Sequence, residues 1–243
     1  MLHENTITYK VYGKYALFTD PLTKIGGEKF SYDIPTYGAL KGITESIYWK
    51  PTFVWVIDEV KIMKPIQTQS KGIRPIHYHD SGNDLSIYTY LYDVEYLVKA
   101  HFEWNQNRPD LTADRNETKH WDIAKRMVER GGRRDIFLGT RECQGYVEPC
   151  DFDEPSVPYG GIAERSFGVM VHSIIYPDEQ TQPEYAGKMT VRFWKPVMKK
   201  GVIHFERPDR LPMIPRVIKE SGMKTFTVGT NFSGLSEFDG EEF

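Results

Sequence analysis

YTYLYDVEYLV, residues 88–98, sets Tyr88, Tyr90, Tyr92, Val94, Tyr96 and Val98 at strict period two. Side chains two apart share one face of an extended chain, so the stretch predicts a long strand with an aromatic and apolar face. Aromatic and β-branched residues suit a pleated, half-buried surface, which supports that reading. Just before it, residues 64–86 form a polar excursion that predicts a hairpin, and Phe53 to Met63 reads as a second, buried strand.

The pattern extends outward on both sides. Leu40, Ile43 and Ile47 recur at helical spacing, Thr36 is a candidate N-cap, and Pro51 enforces a stop, with Tyr48 in the helix's last turn. Farther out, beyond a glycine-rich turn, residues 7–18 alternate as a strand, Ile7, Tyr9 and Val11 facing one way and Thr8, Lys10 and Tyr12 the other. On the C-terminal side Thr118 can cap a helix whose Trp121, Ala124 and Val128 share a face, and Gly131-Gly132 ends it. Ile136 to Leu138 opens another strand. Strand, helix, strand, strand, helix, strand is the split βαβ order of the ferredoxin-like fold. The predicted class is α+β, with a ferredoxin-like domain and its hairpin insertion over residues 1–150. Asp151 to Glu164, with Pro155, Pro158, Gly160 and Gly161, predicts a linker. Residues 167–176, 189–195 and 202–205 predict three short strands of a small antiparallel β-sheet domain, 151–243, whose acidic end (Glu237, Asp239, Glu241, Glu242) predicts a poorly ordered tail.

Composition narrows the function classes. A chain of 243 residues that is 40% hydrophobic can bury a sizeable core. Its longest apolar run, Phe53 to Ile57, is far short of a membrane span, and Glu4, Lys10 and Lys14 interrupt the first twenty residues, so the expected location is cytoplasmic with no membrane partner. Cys143 and Cys150, separated by a six-residue gap with no partner pair, fit neither a disulfide framework nor a zinc ribbon. Net charge is −3, yet Arg115 to Arg141 holds eight Lys/Arg against four Asp/Glu. A polyanion would therefore meet a local basic surface in the N-terminal part. The glycine clusters match no phosphate-binding loop or dinucleotide fingerprint, so no nucleotide cofactor is expected. Strand propensity accounts for most of the 33 aromatic residues without invoking base stacking.

Lys119 and His120 stand where the second helix begins. Free backbone N–H groups and the positive dipole end attract phosphate there, imidazole exchanges protons near neutrality, and an ammonium stabilises charge on a transferring phosphoryl group. The same pair also reads as a surface lysine beside a capping-region histidine. Tyr48 can orient a hydroxyl or stack on a base, and beside Trp49 it equally reads as core packing. A competing constellation is His77-Tyr78-His79-Asp80, whose two histidines would share a strand face and could hold a divalent metal. It lies beside Ser81-Gly82-Asn83-Asp84, the pattern of an exposed loop tip.

Several long segments resemble one family: YALFTDPLTKIGGEKFSYDIPTYGALKGITESIYWKP (15–51), VIDEVKIMKPIQTQSKGIRPI (56–76), VKAHFEWN (98–105), RPDL (108–111), DRNETKHWDI (114–123) and GGRRDIFLGTRECQGYVEPC (131–150). They are similar to the CRISPR-associated RAMP proteins of the type I-C (Dvulg) subtype. That resemblance implies an RRM-like N-terminal domain and cleavage of CRISPR repeat RNA without metal or other cofactor, at the 3′ base of the repeat hairpin. It implies a catalytic trio at Tyr48, Lys119 and His120, with His120 in proton transfer, Lys119 stabilising charge and Tyr48 orienting or activating the 2′-hydroxyl, the acid and base roles being exchangeable. It further implies that the product stays bound within a surveillance complex with a repeating backbone subunit and a large subunit, and it leaves duplex DNA open as a further partner. Lys24, Lys41, Lys71, Arg74, Arg133, Arg134 and Arg141 are candidate RNA-positioning residues, chosen for charge and placement. Two rivals remain: a subunit that only holds the 5′ handle of the guide RNA, and a metal-dependent phosphoesterase built on His77, His79 and Asp80.

Overall fold

A computed structural model describes residues 5–21, 23, 27–76, 82 and 84–220. The strand read at 88–98 grows at both ends into β5, Ser86–Trp104, which organises the larger sheet. With β1 (Ile7–Ala16), β2 (Lys29–Phe30), β3 (Phe53–Ile62) and β4 (Thr68–Ile73), it makes four pairings. Its first half pairs with β4, Ile73 opposite Ser86, and in parallel with β2. Its second half runs antiparallel between β1, Ile7 opposite Ala100, and β3, Phe53 opposite Trp104. Partners change around Asp93, which sits at φ 52° and takes an ion pair from Lys64 at 2.7 Å. A residue in the left-handed region there lets one strand turn from one set of neighbours to the next.

Helix α1, Tyr37–Ile47, starts as expected: the Thr36 hydroxyl accepts the Ala39 N–H at 3.1 Å, and Leu40, Ile43 and Ile47 are buried. Tyr48 is the first residue past it, extended at φ −157°. Helix α2, Glu117–Glu129, corrects the expected cap. Asn116, not Thr118, is the N-cap; its backbone is already extended (φ −123°, ψ 105°) and its amide oxygen accepts the Lys119 N–H at 3.0 Å. The Lys119 N–H is thus engaged inside the protein, and the His120 ring is wholly buried, so this helix end does not present the open phosphate seat beside His120 that the sequence suggested. At the other end Gly131 (φ 81°) and Gly132 (φ 104°) close the helix, the Gly132 N–H reaching the Met127 carbonyl at 2.8 Å.

β6, Ile136–Phe137, is the short expected strand, and a hairpin carries it to β7, Gln144–Glu148, which pairs with β1. The sheet order is β7-β1-β5-β3, continued past β3 by β12 (Val202–His204), β11 (Val197–Lys199) and β8 (Arg165–Ser166). The C-terminal region is therefore divided. β9 (Met170–Ile175) and β10 (Lys188–Trp194) pair as expected, but the third expected strand leaves them to cover the free edge of β3. The third strand of the small sheet is β13, Arg216–Glu220, opposite β10. The expected linker is fastened rather than loose: Lys61 donates to the Glu154 carbonyl at 2.8 Å, and the Tyr159 hydroxyl accepts the Ile66 N–H at 2.7 Å. The predicted acidic tail, 221–243, lies outside the described residues.

A ring cluster joins the two sheets through α1. Tyr37 stacks on His172 (centroids 4.4 Å), and Trp194 and Phe205 complete the contact. Burial holds the His172 imidazole neutral, down to about 3. Beside it runs a charged network: His101 Nδ1 lies 2.9 Å from Asp58 and Nε2 3.5 Å from Glu103, which also pairs with Arg207 of the C-terminal region. Burial alone would lower the His101 pKa, but the hydrogen bonds to Asp58 and Glu103 outweigh it and hold it up at about 9. His101 and then Arg207 hold Glu103 down at about 2. His101 thus stabilises the fold fully below its ordinary 6.5 and loses that contribution as pH rises through about 9. Glu103 contributes above its ordinary 4.5 and loses that contribution as pH falls toward 2. His172, held neutral by burial, costs stability as pH falls below its ordinary 6.5, so melting temperature should peak near 6.5, falling on the acid side through His172 and then Glu103 and on the alkaline side through His101. His101→Gln should lower the peak by a few degrees and flatten the alkaline limb; a limb as steep as in the unaltered protein would show that His101 does not cause it.

Candidate active site

Two turns of chain bring the predicted trio together. Because Tyr48 breaks from α1 into an extended conformation, its side chain turns inward, and its carbonyl is anchored by the Trp55 indole N–H at 2.7 Å. A 3-10 turn, Pro109–Asp114, then delivers Asp114 just ahead of α2. The loop after α2 locks the two parts: the backbone N–H groups of Arg133 and Arg134 cap the last carbonyls of α1, Ser46 and Ile47, at 3.0–3.2 Å.

Tyr48 Oη lies 2.8 Å from His120 Nδ1, and His120 Nε2 lies 2.8 Å from the Asp114 carbonyl oxygen. A carbonyl only accepts, so Nε2 carries the proton; in the neutral ring Nδ1 then accepts the Tyr48 hydroxyl. The Phe53 ring lies 5.2 Å from the imidazole, Trp104 6.0 Å and Phe102 6.3 Å, all edge to face. His120 is 0% and Tyr48 2% exposed, whereas the Lys119 side chain is half exposed. Asp114 ties the group together: its carboxylate accepts Lys119 Nζ at 2.6 Å and the Thr52 hydroxyl at 2.8 Å, and lies 3.5 Å from His120 Nε2. Those donors, Lys119 first, hold the Asp114 carboxyl below the usual range. Burial, with Asp114 adding to it and Arg133 opposing it, raises the Tyr48 phenol. Chemically the arrangement could relay a proton: one taken up at Tyr48 Oη could pass to Nδ1, and Asp114 would stabilise the resulting imidazolium while Lys119 faces outward. Neither Asp114 nor Thr52 was singled out from sequence; the only signal was an acid closing a proline-led turn five residues before Lys119.

The RNA-positioning candidates scatter. Arg133, Arg134 and Arg141 are exposed; the first two line a groove of about 530 Å³ with Tyr146, and the charge of Arg133 reaches Tyr48. Lys71 lies on β4 with its ammonium 3.4 Å from the Tyr15 ring centroid, and Arg74 is exposed just beyond that strand. Lys41 departs from expectation: it is held by Glu179 at 2.5 Å and Glu45 at 3.3 Å with its side chain 12% exposed, because α1 turns it toward the C-terminal region. Lys24 and the rival cluster His77, His79 and Asp80 lie outside the described residues. Among the described residues no three His, Cys, Asp or Glu side chains group as metal ligands, and no helix is long and apolar enough to cross a membrane.

A family model described as CRISPR-associated protein (Cas_Cas5) matches residues 6–206. The chain belongs to the Cas5 family. Curated relatives include a CRISPR pre-crRNA endoribonuclease Cas5d of Mannheimia succiniciproducens, 29% identical over 226 residues, covering 82% of this chain and 94% of the relative. Another of the same name, from Thermus thermophilus, is 28% identical over 189 residues, covering 74% of this chain and 77% of the relative. A crystal structure of a CRISPR-associated protein is similar at TM-score 0.71 and 39% identity, over 86% of this chain and 95% of that one. The Cas5 match spans Tyr48, Lys119 and His120 and ends before β13.

The tautomer is directly observable. In a long-range nitrogen–proton NMR spectrum the neutral His120 ring should be protonated at Nε2 and bare at Nδ1. Tyr48→Phe should shift only the Nδ1 resonance strongly and, by leaving a buried acceptor unmet, cost about 1–3 kcal/mol in denaturant unfolding. The reverse tautomer would refute the hydrogen-bond direction assigned here.

Proposed function

We propose that this Cas5-family chain is a metal-independent endoribonuclease that cuts CRISPR precursor RNA within each repeat, at the 3′ base of the hairpin. The observation that carries the reading is the convergence of Tyr48, His120 and Lys119 around Asp114, under a basic, arginine-bearing loop. The substrate's own 2′-hydroxyl attacks the neighbouring phosphate, leaving a 2′,3′-cyclic phosphate and a 5′-hydroxyl. That reaction needs proton transfer and charge stabilisation, and neither step calls for a Lewis acid. Since His120 is buried, its proton traffic runs through Tyr48 Oη, which orients the 2′-hydroxyl, while Lys119 meets the phosphate. The names of the two curated relatives support the activity. The order β7-β1-β5-β3, with a helix between β1 and β3 and another between β5 and β7, supports a ferredoxin-like reading of the N-terminal half. We divide the chain at residue 150 by role: the trio and the RNA-positioning candidates all precede it. Partners on this reading are the repeat RNA hairpin and the backbone and large subunits of a surveillance complex.

A second reading, a subunit that holds the 5′ handle without cutting, draws on one observation: both His120 ring nitrogens are occupied inside an aromatic cage, as in a purely structural histidine. Cleavage of a pre-annealed repeat hairpin separates the two. Under excess EDTA the full chain should cut at an unchanged rate, and one 2′-deoxy substitution 5′ of the scissile phosphate should abolish cutting while leaving affinity nearly intact. His120→Ala should slow cleavage on the order of 10² to 10⁴ with little loss of binding. Lys119→Ala should slow it and make the salt dependence of affinity shallower by about one phosphate contact. Normal cutting of the 2′-deoxy substrate would rule the mechanism out; no cutting by the unaltered protein would leave the handle-binding reading.

A further inference from the structure

One aromatic ring near the trio is not used by the fold. Among the described residues no Phe, Trp or Tyr is more exposed than Tyr146 of β7, at 55%. Among those residues its one ring contact is with Tyr12, centroids 5.7 Å apart and planes 35° apart, and its hydroxyl makes no hydrogen bond. Leaving the ring in water forgoes the burial that a strand tyrosine normally gains. The carboxylate next along that face is already matched: Glu148 accepts the Tyr12 hydroxyl at 2.5 Å and pairs with Lys10 at 2.9 Å.

Tyr146 lines the groove of about 530 Å³ together with Arg133, Arg134 and Asp135. Both arginines are exposed, and neither guanidinium has an ion pair or hydrogen bond among the described residues. Asp135, also exposed, pairs with neither, so two arginines against one carboxylate leave the lining net positive. Both walls are fixed by their backbones. The Arg133 and Arg134 N–H groups are held on the Ser46 and Ile47 carbonyls, and Tyr146 is paired with Tyr12 in the sheet. Since Ile47 immediately precedes Tyr48 and the charge of Arg133 acts on the Tyr48 phenol, the groove adjoins the trio.

We infer that Tyr146 is a stacking platform for an unpaired base of the repeat RNA close to the scissile phosphate, with Arg133 and Arg134 holding the backbone beside it. The place of the cut rests on the nuclease reading; the stacking contact does not. A guanidinium matches a phosphate, and an open tyrosine ring matches the flat face of a base. In a duplex those faces are covered by neighbouring pairs, so the ring selects a single strand. Every base has such a face, and nothing in the lining reads a base edge, so the contact tolerates all four bases.

Affinity of the full chain for a repeat RNA made uncleavable by the 2′-deoxy substitution tests this without cleavage, so failure of the nuclease reading leaves the result intact. A 2-aminopurine moved through the unpaired positions flanking the scissile phosphate should be quenched on binding at one of them, and Tyr146→Leu should remove that quench. An abasic nucleotide at the same position should weaken binding about 5- to 150-fold, whichever base it replaces. Tyr146→Leu should weaken binding of the intact RNA by a similar factor, have little further effect on the abasic RNA, and leave affinity for a blunt duplex unchanged. Tyr146→Trp should retain tight binding. Should Tyr146→Leu fail to fold, the abasic scan on unaltered protein still decides, and a scan with no sensitive position overturns the inference. Fully additive losses from Tyr146→Leu and the abasic nucleotide, or an equal loss on the duplex, overturn it as well.

Discussion

Every backbone N–H and C=O withdrawn from water must find a partner, and a strand of nineteen residues through the middle of a molecule makes a large demand of that kind. β5 meets it with four other strands, β1 and β3 flanking its second half and β2 and β4 its first. The rest of the architecture follows from that sharing. Once β3 is fixed on one side of β5, its outer edge is open, and β12 closes it; the C-terminal region is thereby joined to the sheet that carries the site. Phe102 and Trp104, at the far end of β5, project into the neighbourhood of α2, so strand register decides where the imidazole is caged.

Helix ends supply the second constraint. The last carbonyls of α1 lack intrahelical donors, and the Arg133 and Arg134 amides provide them. The chain can reach them because Gly131 and Gly132 adopt positive φ, where a side chain would be strained. One arginine-bearing loop thus closes α2, caps α1 and brings the charge of Arg133 near Tyr48. Structure and basic surface are the same few residues.

Periodicity made the main elements legible: β1, α1, β3 and β5 lie where alternation and helical spacing put them, because each buries one continuous face. Elements held by pairing rather than by a face were harder to read. β7 alternates exposed Gln144, Tyr146 and Glu148 with Gly145 and Val147; a glycine is needed because a Cβ at 145 would meet Leu138 at 2.9 Å, and this removes the apolar signal. β8 and β11 span two and three residues, too short to show a period; β12, at the expected 202–205, was legible as a strand but not in its place beside β3. The cap of α2 was misread because Asn116 and Thr118 are both good cap residues, and backbone conformation chose between them. Lys41 illustrates the remaining limit: a charge in sequence does not reveal whether a carboxylate 138 positions away will neutralise it.

Burial of Tyr48 and His120 is the feature that most needs a physical account. Phe53, Phe102 and Trp104 surround the His120 ring, and burial, with the Asp114 charge adding to it, raises the Tyr48 phenol beside it. Electrostatic interactions strengthen in such surroundings, however, and Asp114 at 3.5 Å favours the imidazolium over an isolated buried charge. Lys119, exposed and held by Asp114, is the member a phosphate could reach on the proposed reading; a phosphate drawing that ammonium away would leave more of the Asp114 carboxylate for His120. On the proposed reading, substrate binding at Lys119 and proton transfer at His120 would be coupled through one carboxylate, that of Asp114.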